Sequence, residues 1–282
     1  MWLLCGVVLE GLSMSALSLL QQRLLGVTGA RVAVTRLVPI TLAANAVSLS
    51  VPGGVVVAEG YAFKQYRRLG ASAVGAGWVE AAAGSIAAAA LASLAFTGAL
   101  IVGGGLRNLL LGPFAVVVVG SALAAYLFYK TTVLSMVATA VVTFGERHSP
   151  EGVRARLGRI EQATARMVDI TPSPKVWWTG AAAASSNWLL DAIVLACAIL
   201  SVGHSVPWQF LLLVYAGGQV IAMIPITPGG LGIVEGGLIG LLGRAHMQAA
   251  PATAAVLVYR GMSFWLLLAV GWVVAARLRL KD

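Results

Sequence analysis

Residues 52–60 read PGGVVVAEG and residues 228–237 read PGGLGIVEGG. The shared frame, Pro-Gly-Gly, four residues, then Glu-Gly, occurs twice in a chain of 282 residues of which 59% are hydrophobic and 10% charged. In both copies an arginine follows the glutamate by nine residues, Arg68 after Glu59 and Arg244 after Glu235. Proline lacks the amide hydrogen and glycine lacks the side chain that would hold a helix together, so each triplet breaks a helix. Any account of the fold has to say why an acid follows each break.

The composition, with a mean hydropathy of +0.91, lies far outside that of a soluble domain and defines an all-α, polytopic membrane protein. Apolar segments occur at 2–22, 34–51, 75–102, 108–129, 179–203, 207–226 and 250–276. Most reach the twenty or so residues that cross a hydrocarbon core of about 30 Å. The first segment lacks the basic start and small-residue cleavage site of a signal peptide and reads as a span. Cys5 and Cys197 lie inside apolar segments and suggest neither a disulfide framework nor a metal site. The net charge of +9 lies mostly beside spans, as in the loops of a membrane protein, so it points to anionic inner-leaflet lipid and not to nucleic acid.

Between Pro52 and Lys64, and between Pro228 and Gly243, there are only about a dozen residues, roughly 18 Å of helix and too short to cross alone. Such a half-span either continues through the bilayer or turns back as a re-entrant hairpin. Two hairpins place sixteen Lys/Arg on one face, including the 130–178 loop and the C-terminus, against Arg107 and Arg244 on the other. Two crossings split them eleven to seven. The positive-inside rule favours hairpins, with the 130–178 loop and C-terminus cytoplasmic in a plasma-membrane protein. Residues 2–102 and 179–276 then form two repeats of span, hairpin, span, the second inverted by the single span 108–129. That architecture suits alternating access in a single membrane domain. Within the loop, residues 149–170 are expected to form an amphipathic helix, with Ser149 as N-cap and Pro150 at its first position, lying on the inner leaflet. Trp177 and Trp178 mark the return to the bilayer.

No nucleophile–base, nucleotide-loop or metal-ligand pattern occurs, and His148, His204 and His246 fall in expected loops. No cofactor or metal is implied, and no enzymatic activity is expected. The residues that stand out are ionisable groups in apolar surroundings: Glu10, Glu59, Glu80, Asp191, Glu235 and Arg260. A charge at a helix centre costs about 2.5 kcal/mol or more on insertion scales, so each is expected to face the bundle interior or a wet cavity. Glu59 and Glu235 are placed about 8 Å from the hairpin tips and Arg68 and Arg244 at the interface about 14 Å further on. Two roles are open to the glutamates: contact with a ligand, or satisfaction of backbone groups freed at the breaks together with neutralisation of Arg260. The glycines of the two breaks, and Gly232, Gly236 and Gly240, permit close packing or leave room for a ligand. Asn45, Ser48, Ser50, Gln219 and Thr227 complete a polar path or bond between helices.

Two segments, NAVSLSVPGGVVVAEGYAFKQYRRLGAS (45–72) and GQVIAMIPITPGGLGIVEGGLIGLL (218–242), resemble the lysylphosphatidylglycerol synthetase transmembrane-region family, the membrane half of the multiple peptide resistance factor. The second motif is the more specific; the first carries Val55, Val56 and Val57 where many members have a basic residue and a second glycine. The resemblance implies a flippase-like translocase for a phospholipid or lipid-linked headgroup, without the family's soluble catalytic domain, and allows a homo-oligomer. The candidate substrate-binding set is then Glu59, Glu235, Arg68, Arg244, Asn45, Pro52, Gly53, Gly54, Pro228, Gly229, Gly230 and Arg260. The glutamates are expected to meet a cationic amine and Arg68 and Arg244 the phosphate. Alternatives are an intramembrane enzyme or the membrane anchor of a lipid-modifying glycosyl- or aminoacyl-transferase, or a structural or regulatory partner docking through the 145–172 segment.

Overall fold

The computed structural model describes residues 1–103 and 170–280, and the expected span 108–129 and the expected amphipathic helix 149–170, except its last residue, lie outside the described residues. Within them the chain is helical, with no strand. The helices are α1 Trp2–Val27, α2 Val34–Ser50, α3 Gly54–Arg68, α4 Ala73–Val102, α5 Pro174–Ser201, α6 Trp208–Ala222, α7 Ile233–Arg244, α8 Ala249–Arg260 and α9 Leu267–Arg279. A π-helical stretch, Gly261–Leu266, joins α8 to α9 in one continuous run. Four rods, α1, α4, α5 and 249–279, are long and apolar enough to cross a membrane, which makes this a multi-pass membrane protein. Helices α2, with 17 residues, and α6, with 15, are apolar but shorter.

Local chemistry sets the ends. Ser72 accepts the Gly75 amide at 2.9 Å to start α4, a side-chain cap that satisfies one of the orphan donors of a helix N-terminus. Pro174 opens α5 at a position where its missing amide hydrogen costs nothing. This helix starts earlier than the apolar run implied, and its first turn tucks Trp177 inward, 8% exposed, while Trp178 stays at the surface.

Helices α1 and α5 run antiparallel in close contact. Glu10 faces Asp191, Ser13 faces Asn187, and Leu20 lies over Gly180. The Ser13 hydroxyl donates to the Asn187 carbonyl at 3.0 Å, and Asn187 Nδ2 donates to the Ser13 carbonyl at 3.1 Å and hydroxyl at 2.7 Å. In lipid, where apolar burial does not drive helix association, such bonds and small-residue contacts hold helices together.

Helices α2 and α3 fold back on each other about Pro52-Gly53, and α6 and α7 do so about Pro228-Gly229-Gly230. In the second pair Gly218 and Gly237 receive Leu238 and Ile221 from the opposite helix. The last rod of each half packs on the other half's pair: α9 lies on α2, with Gly271 against the Leu42 carbonyl, and α4 lies on α6, with Gly98 against the Leu213 backbone. A Cβ at Gly98 would stand 2.8 Å from Leu213 N. Gly98→Leu is therefore expected to lower stability by about 1–3 kcal/mol through overpacking, read as a drop in the thermal midpoint of the detergent-purified chain.

Two apolar cores result. One, around Leu20, Leu24, Leu37, Tyr66 and Ile86, sits under the first helix pair, and the other, around Leu195, Ile199, Tyr215, Leu238 and Val256, under the second. The two Pro-Gly-Gly turns meet in the space between these cores.

Candidate functional site

A cavity of about 330 Å³ lies between the two turns, lined by Gly53 and Gly54 from one and Gly229 and Gly230 from the other. Helices α1 and α5 contribute Glu10 and Asp191 to it, α2 contributes Asn45 and Ser48, and α8 contributes Arg260.

Although the two turns share a sequence frame, they are wired differently. Gly53 and Gly229 both adopt left-handed backbone, φ 65° and 55°, a region open to glycine and closed to most side chains. Beyond that the copies diverge. In the first, α3 begins at Gly54, so Glu59 sits well inside the helix. In the second, Gly232 turns the chain again at φ 83° and α7 begins only at Ile233. The residue equivalent to Gly232 is Val56, whose β-branch disfavours positive φ, so the first copy cannot make this extra turn.

The delay puts Glu235 in the first turn of α7, where Oε2 accepts the Gly232 amide at 2.5 Å. Its Oε1 accepts from Arg260 Nε at 2.6 Å. Arg260 Nη2 donates to the Gly229 carbonyl at 2.7 Å, and the guanidinium lies 4.3 Å from the Phe264 ring centroid. Thr227 Oγ1 donates to the Leu231 carbonyl at 2.9 Å. The second turn is thus clamped by a guanidinium that reads both its backbone and its acid. Glu235 thus accepts from backbone freed at the break and pairs with Arg260. The planar fork of arginine suits this double contact in a way a lysine ammonium does not.

Among the described residues, the first turn has no such clamp. Glu59 is exposed on α3 and faces Glu80 of α4 within hydrogen-bonding reach. Neither of these acids lines the cavity. Arg68 and Arg244 are the last residues of α3 and α7, exposed, at the ends remote from the turns.

The acids in the cavity wall are Glu10 and Asp191. Asp191 Oδ2 accepts from Tyr215 at 2.8 Å, Tyr259 at 3.2 Å and Gln219 at 3.3 Å. Trp188, anchored by its donation to the Ala87 carbonyl at 2.9 Å, lies 6.3 Å from the Tyr215 ring and helps to hold it. Three donors converge on one carboxylate oxygen. Asp191 Oδ1, Glu10 Oε2 and Asn45 Oδ1 are buried and take no hydrogen bond from the described residues.

Of the twelve sequence-derived site residues, the structure brings Asn45, Gly53, Gly54, Gly229, Gly230 and Arg260 to the cavity. Glu235 stands one step behind, through Arg260. Pro52 and Pro228 shape the turns without lining it, and Glu59, Arg68 and Arg244 lie elsewhere. In the polar path, Ser48, Gln219 and Thr227 reach the cavity, whereas Ser50 accepts from Trp272 Nε1 at 2.9 Å. Glu10 and Asp191 were singled out as costly groups but not placed in the site. The signal for them was their similar spacing, 49 residues before Glu59 and 44 before Glu235, in the first span of each half. Tyr215 and Tyr259 carried no signal that set them apart from other membrane tyrosines.

The model of the family described as lysylphosphatidylglycerol synthase TM region matches residues 1–271. Two proteins of Methanothermobacter thermautotrophicus, each named UPF0104 membrane protein, are similar to parts of the chain. One is 40% identical over 77 residues, 27% of this chain and 22% of the relative. The other is 32% identical over 84 residues, 30% of this chain and 25% of the relative. The chain thus spans about a quarter of the length of these curated relatives. No solved structure matches. A match that runs through both Pro-Gly-Gly turns and every rod that walls the cavity leads to one assignment: the chain belongs to the lysylphosphatidylglycerol synthase transmembrane-region family.

Proposed function

We propose that this protein moves the headgroup of a membrane lipid between leaflets by alternating access around the cavity between its two glycine turns. The observation that carries the reading is that both turns line one cavity with two carboxyl groups, an amide and a guanidinium in its wall. In this reading α2–α3 and α6–α7 are re-entrant hairpins from opposite faces, and residues 2–102 and 179–276 are inverted repeats. The antiparallel contact of α1 with α5 supports the inversion. So does the reciprocal packing of α9 on α2 and α4 on α6, which a two-fold axis in the membrane plane would interchange.

The wall chemistry fits a headgroup that donates hydrogen bonds. Glu10, Asp191 and Asn45 each offer an unfilled acceptor, and Arg260 brings the cationic group within reach of a phosphate. A phospholipid bearing an ammonium meets both requirements. Arg68 and Arg244 act at headgroup level at the two mouths, and the basic residues beside the spans hold anionic inner-leaflet lipid.

The test is leaflet exchange of a tail-labelled fluorescent phosphatidylethanolamine in vesicles carrying the full chain, read by dithionite quenching. Exchange well above protein-free vesicles is expected, and its absence would sink the reading. Product formation from lipid precursors by the purified chain would favour the transferase-anchor alternative instead. Topology has a separate check in a background with Cys5 and Cys197 replaced by serine. Cysteines at positions 64 and 244 are expected to react with a membrane-impermeant maleimide from opposite faces. Labelling of both from one face would remove the inversion.

A further inference from the structure

Glu10 is 2% exposed, lines the cavity, and leaves Oε2 without a hydrogen bond. The carboxyl it faces, Asp191, is satisfied on one side only, because Tyr215, Tyr259 and Gln219 all donate to Oδ2 and none to Oδ1. The two carboxyl groups lie within hydrogen-bonding reach of each other, and neither carboxylate supplies a donor.

The groups that surround this pair come from four other elements. Helix α2 offers Asn45 and Ser48, α6 offers Tyr215 and Gln219, α8 offers Tyr259 and Arg260, and the π-helical stretch offers Ser263. Arg260 is the one cation that the described residues place among them, and it is engaged with Glu235 and the Gly229 carbonyl. Two carboxylates about 4 Å apart repel by about 4 kcal/mol even at an effective dielectric of 20. Desolvation of each adds several more. A positive charge shared between the facing oxygens removes both penalties.

Resting on the translocase reading, we propose that Glu10 and Asp191 hold one small monovalent cation, a proton or a sodium ion, which exchanges for the ammonium of the lipid headgroup. In the proton form, one carboxyl O–H donates to the other carboxylate. When the headgroup arrives, that O–H bond breaks and the proton leaves to water. The ammonium N–H groups then donate to Glu10 Oε2 and Asp191 Oδ1. In the sodium form the ion leaves instead, and no covalent bond changes. Either way the site carries the small cation or the headgroup, never both, so moving one drives the other the opposite way. The pair sits where α1 crosses α5, one acid from each, so a shift of the two helices past each other opens or closes it.

The experiment uses vesicles of phosphatidylcholine and phosphatidylglycerol that carry the full chain and tail-labelled phosphatidylethanolamine. Entrapped pyranine reports internal pH. One-for-one exchange of the zwitterionic lipid for a cation moves one net charge, so the membrane potential is clamped with valinomycin and equal potassium on both sides; a tenfold proton gradient is then expected to give about tenfold accumulation of the probe in one leaflet, with a matching pH change inside. If a tenfold sodium gradient does this and the proton gradient does not, sodium is the ion, and the proposal stands in that form. Glu10→Gln is expected to lose the response to either gradient, because an amide cannot give up a cation. Wild-type exchange that proceeds but ignores both gradients would overturn the proposal and leave the translocase reading intact. No exchange in the wild type would overturn that reading and the proposal with it. The wild-type arms decide the outcome even if the variant fails to fold.

Discussion

Arg260→Met is expected to be the most destabilising single change at the cavity. Its guanidinium contacts Glu235 at 2.6 Å and the Gly229 carbonyl at 2.7 Å, with side chains only 9% and 16% exposed. Removing it strands a carboxylate and a backbone carbonyl together, and breaking a buried pair from one side costs about 3–5 kcal/mol. Glu235→Gln should cost less, because the amide oxygen still accepts the Gly232 amide at the start of α7. The double variant Arg260→Met with Glu235→Gln should recover part of the loss, since no charge is then left alone. Arg260→Lys should recover little, because one ammonium cannot hold both acceptors in their fork geometry. Thermal midpoints of the four detergent-purified variants give the ranking. A double variant less stable than the sum of its parts would show that the clamp does not act as one unit.

Asp191→Asn is expected to produce the largest loss of leaflet exchange relative to its effect on stability. An asparagine oxygen still accepts from Tyr215 and Tyr259, so the contact of α5 with α6 and α8 survives. What disappears is the negative charge that makes the cavity attract a cation. A charge-assisted hydrogen bond contributes about 1.5–3 kcal/mol, and each 1.4 kcal/mol is about tenfold in affinity. Exchange of the amine-bearing probe should therefore fall at least about tenfold while the thermal midpoint moves little. Glu59→Gln, on the exposed face of α3, should reduce exchange less. The opposite order would place the headgroup at Glu59 and Glu80 and not between the turns.

How much of this could be read from the chain depends on how local each feature is. The Pro-Gly-Gly breaks, the short helices before them and the long apolar rods follow from backbone chemistry and from the thickness of a bilayer, both legible in a single segment. The matching ends of the two helix pairs, Arg68 and Arg244, were legible because a repeat preserves spacing. Which face of a rod meets another rod was not. In a membrane helix the lipid-facing and protein-facing residues are alike apolar, so periodicity carries little of the facing information that it carries in a soluble helix. Helix α4 is the plain case: its buried residues include Gly75, Trp78, Ile86, Leu94 and Gly98, and its exposed ones include Phe96 and Val102.

The same string did not make the same site twice. Val56 in place of Gly232 changes where the helix begins, and with it whether the glutamate caps a helix and meets an arginine or stands on an exposed face beside another acid. That difference was visible as a residue type, but its effect depended on where Arg260 and Glu80 come to rest. Membership of a multi-pass membrane family, the two broken helices and the short list of ionisable groups in apolar segments are written in the linear chain, because each follows from solvation and backbone geometry within one segment; that Glu59 stands exposed is not. The pairing of Glu10 with Asp191, residues 181 apart, and the cavity they share with Arg260 arise only where α1 crosses α5, since contacts between rods depend on a packing geometry that no single rod encodes.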